Sequence, residues 1–408
     1  MNEKTRLFIE KNLNADIRQL ALQGSKDTEV DLPLALRQIA GRQTARRKLP
    51  SWAALDGLLF PPHLNMEQCS SEQTARYKAD ICRRLLETLH QSPITNLTDL
   101  TGGFGVDFSW MSKVFDEATY VERDSELFAI SSHNFGLVNF VNSVKTLNMD
   151  GVDYLHQLSH ATVIFLDPAR RDDKGARTYG IADCTPNVLE IKDELLQKAD
   201  IVILKLSPML DWRKTISDLG EQNVREVHIV SVQNECKELL LVLSASQPAP
   251  PYALFTINLL SDGTSQQFQV SSPSSLHQSL SSLHPLPVTL HQYLYEPNAS
   301  IMKAGCFQEL AQHYGVQPLA PNSHLFVSEQ PIADFPGRSF QISAISSMNK
   351  KELKTVLSDI HSANITTRNF PLSVADLRKK LKLADGGNVY IFATTLANSQ
   401  HVLIVCSI

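Results

Sequence analysis

The stretch from Ile94 to Asp107, ITNLTDLTGGFGVD, most constrains what this chain can fold into. A short apolar strand ends at Asp99, runs into the turn Thr101-Gly102-Gly103-Phe104-Gly105, and Asp107 opens a helix. Glycines reach positive φ and, lacking a Cβ, let backbone approach a ligand closely. A strand, a glycine turn and a helix N-terminus in succession start a nucleotide-binding, doubly wound α/β domain. The dinucleotide fingerprint needs a third glycine, but Gly103-x-Gly105 is followed by Val106, Asp107 and Phe108. A P-loop lysine is missing as well.

From Ile94 to Leu243 strand and helix patterns alternate. Strands are expected at 94–99, 118–122, 144–147, 162–166, 200–206, 225–232 and 237–243, and helices at 107–115, 124–140, 150–157, 186–198 and 210–219. Such alternation implies a parallel sheet covered by helices. The last two strands are too close for a helical crossover, so they form a hairpin and put one antiparallel strand in the sheet. Before this domain, residues 1–90 read as helical, with Ile9, Leu13, Ile17 and Leu20 at helical spacing. The basic run Gly41 to Pro50 is either a solvated helix face or a phosphate-contacting patch. Ser70 or Ser71 caps the helix from Thr74 to Leu89, in a polar stretch that can border a site. After the domain, 246–287 holds a hairpin around Ser261-Asp262-Gly263-Thr264 and a linker, and 288–408 is a smaller α+β unit. That unit is expected to hold helices at 300–314, 350–361 and 373–382, and strands near 324–327, 339–343, 389–395 and 401–406.

In a doubly wound sheet the ligand lies beyond the carboxyl ends of the strands. Strand one ends at Asp99 and its glycine turn, with Thr101, Gly103, Gly105 and Asp107 following. Strand two ends at Glu122, roughly 20 residues after the turn, as one βαβ unit requires, and an acid there can accept both ribose hydroxyls of a nucleoside. Arg123 can flank an adenine, and Asp150, after strand three, can accept its amino group. Strand four ends in Asp167-Pro168-Ala169-Arg170-Arg171, where an acid and a proline carbonyl can hold an exocyclic NH₂ for in-line attack. Arg170 and Arg171 can stack on a base or bind phosphate, and Tyr179 in the loop 172–185 is a stacking candidate. Lys205, in the strand-five stretch KLSPMLDW, lies beside the same cleft and can be structural.

The spacing Asp99-x-x-x-Gly103-x-Gly105 is similar to motif I of class I S-adenosylmethionine (SAM) methyltransferases, and seven strands with a final hairpin match their sheet. Together DLTGGFGVD, YVERD, NMD, FLDPARR and KLSPMLDW resemble a bacterial group of these enzymes with a THUMP-like C-terminal domain. EQCSSEQTARYKA, YLYEPNASIMKAG (Tyr293 to Gly305) and ITTRNFPLSVADLRKKLKL (Ile365 to Leu383) resemble it too, so the likeness spans roughly 35–408. It implies a Rossmann-like methyltransferase domain over 91–245 and a ferredoxin-like/THUMP-like domain over 288–408. SAM is then the cofactor, with donor contacts from Asp99, Thr101, Gly103, Gly105, Asp107, Glu122, Arg123 and Asp150. Asp167 and Pro168 are the catalytic pair, and Arg170, Arg171 and Tyr179 touch substrate. The amine motif reads Asp/Asn-Pro-Pro-aromatic, and here Ala169 and Arg170 replace its last two members.

By the same likeness the acceptor is a base in structured RNA, tRNA or rRNA, with Arg368 and the cluster Arg378-Lys379-Lys380-Lys382 as local support. A small-molecule or protein methyltransferase is one alternative, and an RNA-binding protein with SAM as a non-catalytic ligand is another. The net charge of −5 confines any basic surface to patches. Six dispersed cysteines without a CxxC argue against a zinc site or a disulfide framework, and the histidines lack metal spacing. The N-terminus lacks a signal-peptide core and no apolar run approaches about 18 residues, so a cytoplasmic protein is expected.

Overall fold

The computed structural model describes residues 1–89, 94–138, 143–170, 180–245, 252–271, 289 and 292–407. Six helices come first: α1 (Glu3–Lys11), α2 (Ile17–Gln23), α3 (Leu32–Lys48), α4 (Pro50–Ala53), α5 (His63–Gln68) and α6 (Glu72–Thr88). The face expected from Ile9 to Leu20 is split between α1 and α2, because the Asp16 side chain caps a new helix by accepting from Gln19 N at 2.9 Å. Ile9 and Leu20 pack with Ala35 and Ile39 of α3. The basic run ends α3 and is largely spent inside the helical region. Arg42 donates to the carbonyls of Ala53 and Leu55, both at 3.2 Å, and Lys48 to those of Met66 and Glu67 at 2.9 and 2.6 Å.

The alternating part runs β1 (Asn96–Asp99), α7 (Val106–Met111), β2 (Glu117–Glu122), α8 (Ser125–Phe135), β3 (Ser143–Asn148), α9 (Gly151–Gln157), β4 (Ala161–Leu166), α10 (Val188–Lys198), β5 (Ala199–Leu206), α11 (Trp212–Leu219), β6 (Val224–Val232) and β7 (Glu235–Leu243). The strand order is β3-β2-β1-β4-β5-β7-β6. Neighbours from β3 to β5 pair in parallel, and β7 lies antiparallel to β5. The expected hairpin is present: Gln233 and Asn234 join β6 to β7 at φ 50° and 62°, the doubly positive turn that matches strand twist. All six residues of β4 are buried, as a central parallel strand covered on both faces requires. Register levels the strand ends. Asp99 pairs with Tyr120 and Phe165, Glu122 with Asn148, and Leu166 with Leu204. The carboxylates following β1, β2 and β4 therefore emerge at one edge.

The chain divides into two units, Met1–Arg225 with Leu239–Ala249, and Glu226–Glu238 with Pro250–Ile408. In the second, β6 pairs parallel with β8 (Ala253–Leu259), and β8 antiparallel with β9 (Ser265–Val270), the hairpin read from sequence. A further sheet contains β10 (Tyr293–Pro297), β11 (Gln317–Pro318), β12 (Phe326–Ser328), β13 (Gly337–Ser347), β14 (Ser362–Arg368), β15 (Ala384–Thr395) and β16 (His401–Ser407) in the order β11-β12-β10-β13-β16-β15-β14. The helix expected over 300–314 is two, α12 (Ala299–Ala304) and α13 (Phe307–Tyr314), since Gly305 at φ 70° closes the first in the left-handed conformation. The helix expected over 350–361 stops early, as α14 (Lys350–Val356), and α15 (Val374–Leu381) follows. β10 and β14 were not expected. Their short alternation is masked by Pro297 and by the polar run Asn364-Ile365-Thr366-Thr367. Among the described residues no helix is long and apolar enough to cross a membrane.

Candidate active site

The glycine turn is held from below by aromatic rings. A Cβ at Gly102 would sit 2.1 Å from the Tyr120 ring, and one at Gly105 2.5 Å from the Phe135 ring. These two glycines are therefore needed for packing, and Gly105 also for its φ of 79°. Gly103, at φ 55°, differs: a Cβ there would meet only the Thr101 carbonyl, at 3.7 Å. Its peptide is pinned on both sides. The Gly103 N–H donates to Glu122 Oε2 at 2.8 Å, and its carbonyl accepts from the Tyr120 hydroxyl and from Ser131 Oγ at 3.0 Å. Glu122 Oε1 accepts from Asp124 N at 2.7 Å, so one buried carboxylate ties the turn to the end of β2. Phe104 packs on Trp52, ring centres 5.2 Å apart, and so joins the turn to the N-terminal helices.

The expected donor-side residues reach this turn by different routes. Asp99 is buried and accepts from Thr101 N at 2.9 Å. Burial pushes its carboxyl well above the ordinary range; the Thr101 N–H opposes this, and the carboxylates of Asp107, Asp167 and Glu122 add to it. Asp150 caps α9, its Oδ1 accepting from Val152 N at 2.8 Å. Next to it, a Cβ on Gly151 would lie 2.0 Å from the Leu100 carbonyl oxygen, so only glycine lets this helix start against the end of β1. Arg123 is exposed beside Glu122.

Asp167 lies where β4 ends, its N–H donating to Thr101 Oγ1 at 2.6 Å, with Pro168 buried behind it. Its Oδ2 is 2.5 Å from Lys205 Nζ on β5. Lys205 also reaches Asp107 Oδ2 at 3.3 Å, and Asp107 Oδ1 lies 3.1 Å from Lys78 Nζ on α6. Ser70 Oγ donates to Asp107 Oδ2 at 2.7 Å and accepts from Lys78 at 3.3 Å. Ser71, not Ser70, caps α6, accepting from Thr74 N at 3.2 Å. Exposure falls inward: the Asp167 side chain is 39% exposed, those of Lys205 and Asp107 9% and 10%, and that of Lys78 0%. Burial works against the Asp107 charge, yet the ammoniums of Lys78 and Lys205 and the Ser70 hydroxyl outweigh it and hold its carboxyl below the usual range.

Thus Asp107, expected as a donor contact, stands in an ion cluster, and Lys205, expected beside the cleft, pairs with Asp167. Lys78 was not singled out, although a lysine within the buried stripe Thr74-Ala75-Lys78-Ala79-Ile81-Cys82 is itself a signal. Arg171, Tyr179 and most of the loop 172–185 lie outside the described residues, and so does the Arg170 side chain, whose backbone pairs with Cys184. In the second unit Arg368 is tied to buried Glu296 at 2.9 Å, and Arg378 to Asp385 at 2.6 Å and to two carbonyls. Lys379, Lys380 and Lys382 are exposed.

Comparison with known proteins follows the same division. Residues 293–336 match a family described as a ferredoxin-like domain, and 337–407 one described as THUMP domain-like. A crystal structure from Porphyromonas gingivalis W83, named "putative methyltransferase", aligns over 100% of this chain and 99% of its own at 32% identity and a TM-score of 0.84. The chain belongs to this family of class I SAM-dependent methyltransferases with a THUMP-like C-terminal domain. A relative in two strains of Mycobacterium tuberculosis, an uncharacterized SAM-dependent methyltransferase, is 20% identical over 324 residues, 78% of this chain and 79% of its own. The family's methyl donor is SAM. The open face of Gly103 beside the Glu122 carboxylate fits a nucleoside laid against backbone.

Proposed function

We propose that this methyltransferase transfers the methyl group of SAM to an exocyclic amine of a base in structured RNA. The observation that carries the reading is Asp167-Pro168 at the carboxyl end of β4, level with the glycine turn and bonded to it through Thr101. Gly103 and Glu122 hold the ribose, and Asp99, Thr101, Gly105, Arg123 and Asp150 frame the rest of the donor. SAM supplies a methyl carried on a sulfonium, already activated for attack by a nitrogen lone pair. The chain therefore has to bind and orient the two reactants. The Asp167 carboxylate and the Pro168 carbonyl accept from the amine and aim its lone pair. RNA as the acceptor is supported by the THUMP domain-like match over 337–407 and by exposed Lys379, Lys380 and Lys382. With Arg368 and Arg378 occupied in ion pairs, these three lysines are the better candidates for phosphate contacts.

Nucleoside mass spectrometry of RNA from cells with and without the protein tests the function. An amine-methylated nucleoside that depends on the protein is expected, and identical nucleoside profiles would refute it. The donor site has its own test. Glu122→Ala removes the acceptor for ribose and the anchor of Gly103 together, so SAM affinity should fall by about 1.5–3 kcal/mol, or roughly ten- to a hundredfold. Calorimetry showing native affinity would remove Glu122 from the site.

A further inference from the structure

We infer that Lys205 is a positioning residue for methyl transfer: it keeps Asp167 an ionised hydrogen-bond acceptor of low basicity, and so suits the site to a neutral amine. This rests on the function proposed above. Lys78, Asp107, Lys205 and Asp167 alternate in charge from the buried interior to the cleft, with contacts of 3.1, 3.3 and 2.5 Å. Fully buried Lys78 already balances Asp107, so the core has no need of a second ammonium in the otherwise apolar run Ile201-Val202-Ile203-Leu204. An ammonium on that strand is costly unless a carboxylate faces it, and Asp167, the half-exposed end of the series, supplies one. Asp107 grips Lys205 from behind, with Ser70 and Lys78 holding Asp107, so the ammonium is fixed in place.

The chemical consequence concerns the acceptor. A carboxylate paired to an ammonium accepts hydrogen bonds well but takes up a proton poorly. A hydroxyl acceptor must lose its proton as it attacks, whereas a neutral amine need not. The acceptor nitrogen forms the C–N bond with its own lone pair, the electrons of the broken C–S bond stay on sulfur, and the proton the nitrogen then sheds goes to water. Asp167 remains a carboxylate throughout.

Carbon-13 NMR of the aspartate carboxyls in the full chain, with Asp167 assigned by Asp167→Asn, tests the pairing without any acceptor. Asp167 should titrate below the ordinary value of about 3.9 in the native protein. Lys205→Gln should raise it by about one pH unit or more, and Lys205→Arg should leave it low. A native Asp167 that titrates at or above the ordinary value overturns the inference even if the variants do not fold. Single-turnover transfer to RNA at saturating SAM supplies the second arm. Lys205→Gln should slow it about tenfold with SAM affinity unchanged, and Lys205→Arg should restore most of the rate. A native rate in Lys205→Gln, or a ribose-methylated product, also overturns it. If the native protein methylates no RNA, the proposed function fails by itself, and the titration still decides the pairing.

Discussion

Lys78→Met is expected to destabilise the first unit by about 3 kcal/mol. The methionine keeps most of the buried stem, so the loss is mainly electrostatic. Asp107 would keep Lys205 and Ser70 as partners, which places the effect at the low end for breaking a buried pair. All three tryptophans, Trp52, Trp110 and Trp212, lie in this unit, so their fluorescence during urea unfolding reports on it. The deficit should depend on pH. The carboxyl of folded Asp107 is held below its unfolded value, so its contribution is present above the ordinary carboxylate range and lost as pH falls through the folded value. The variant should therefore lag most near neutrality, and the gap should narrow below about pH 4. A urea midpoint equal to the native one at neutral pH would show that the buried ion cluster is not what holds α6 to the sheet.

Asp167→Ala should lower the single-turnover rate of methyl transfer roughly ten- to a hundredfold at saturating SAM, while leaving SAM affinity near native. On the proposed function the lost contact is a charge-assisted hydrogen bond to the acceptor, worth about 1.5–3 kcal/mol. The backbone bond from Asp167 N to Thr101 Oγ1 does not depend on the side chain, so the donor turn should stay in place. Asp167→Asn should be milder, because its amide oxygen still accepts; near-complete loss there would point to a base. Native turnover in Asp167→Ala, with SAM affinity lowered in Glu122→Ala, would leave the donor site standing and move the acceptor site to the stretch Lys205 to Asp211.

Most of the first unit was legible because its signals are local. Strand and helix alternation, the glycine turn and an acid after each of several strands survive in one dimension, and parallel pairing brings their ends to one edge. The two-residue connection between β6 and β7 was equally readable, since too few residues remain there for a crossover. Legibility was poorer from Tyr293 onward. There β10 is short and ends in a proline and β14 is largely polar, and neighbouring strands far away in sequence stabilise them more than their own propensity does.

The residues alone determined which groups stand at the strand ends, and with them the class of chemistry. Only the tertiary structure decided how those groups divide the work. Gly102 and Gly105 look alike to Gly103 in sequence, yet two make room for aromatic rings and one has an open face, because Tyr120 and Phe135 arrive from other elements. In sequence Lys205 looks like an isolated lysine in an apolar run, and Lys78 like one of several charges on a helix. They meet across Asp107 because α6, α7 and β5 converge there, with Lys205 98 residues beyond Asp107 in the chain. A buried charge takes its meaning from the partner that compensates it, and that partner is found by packing and not by sequence distance.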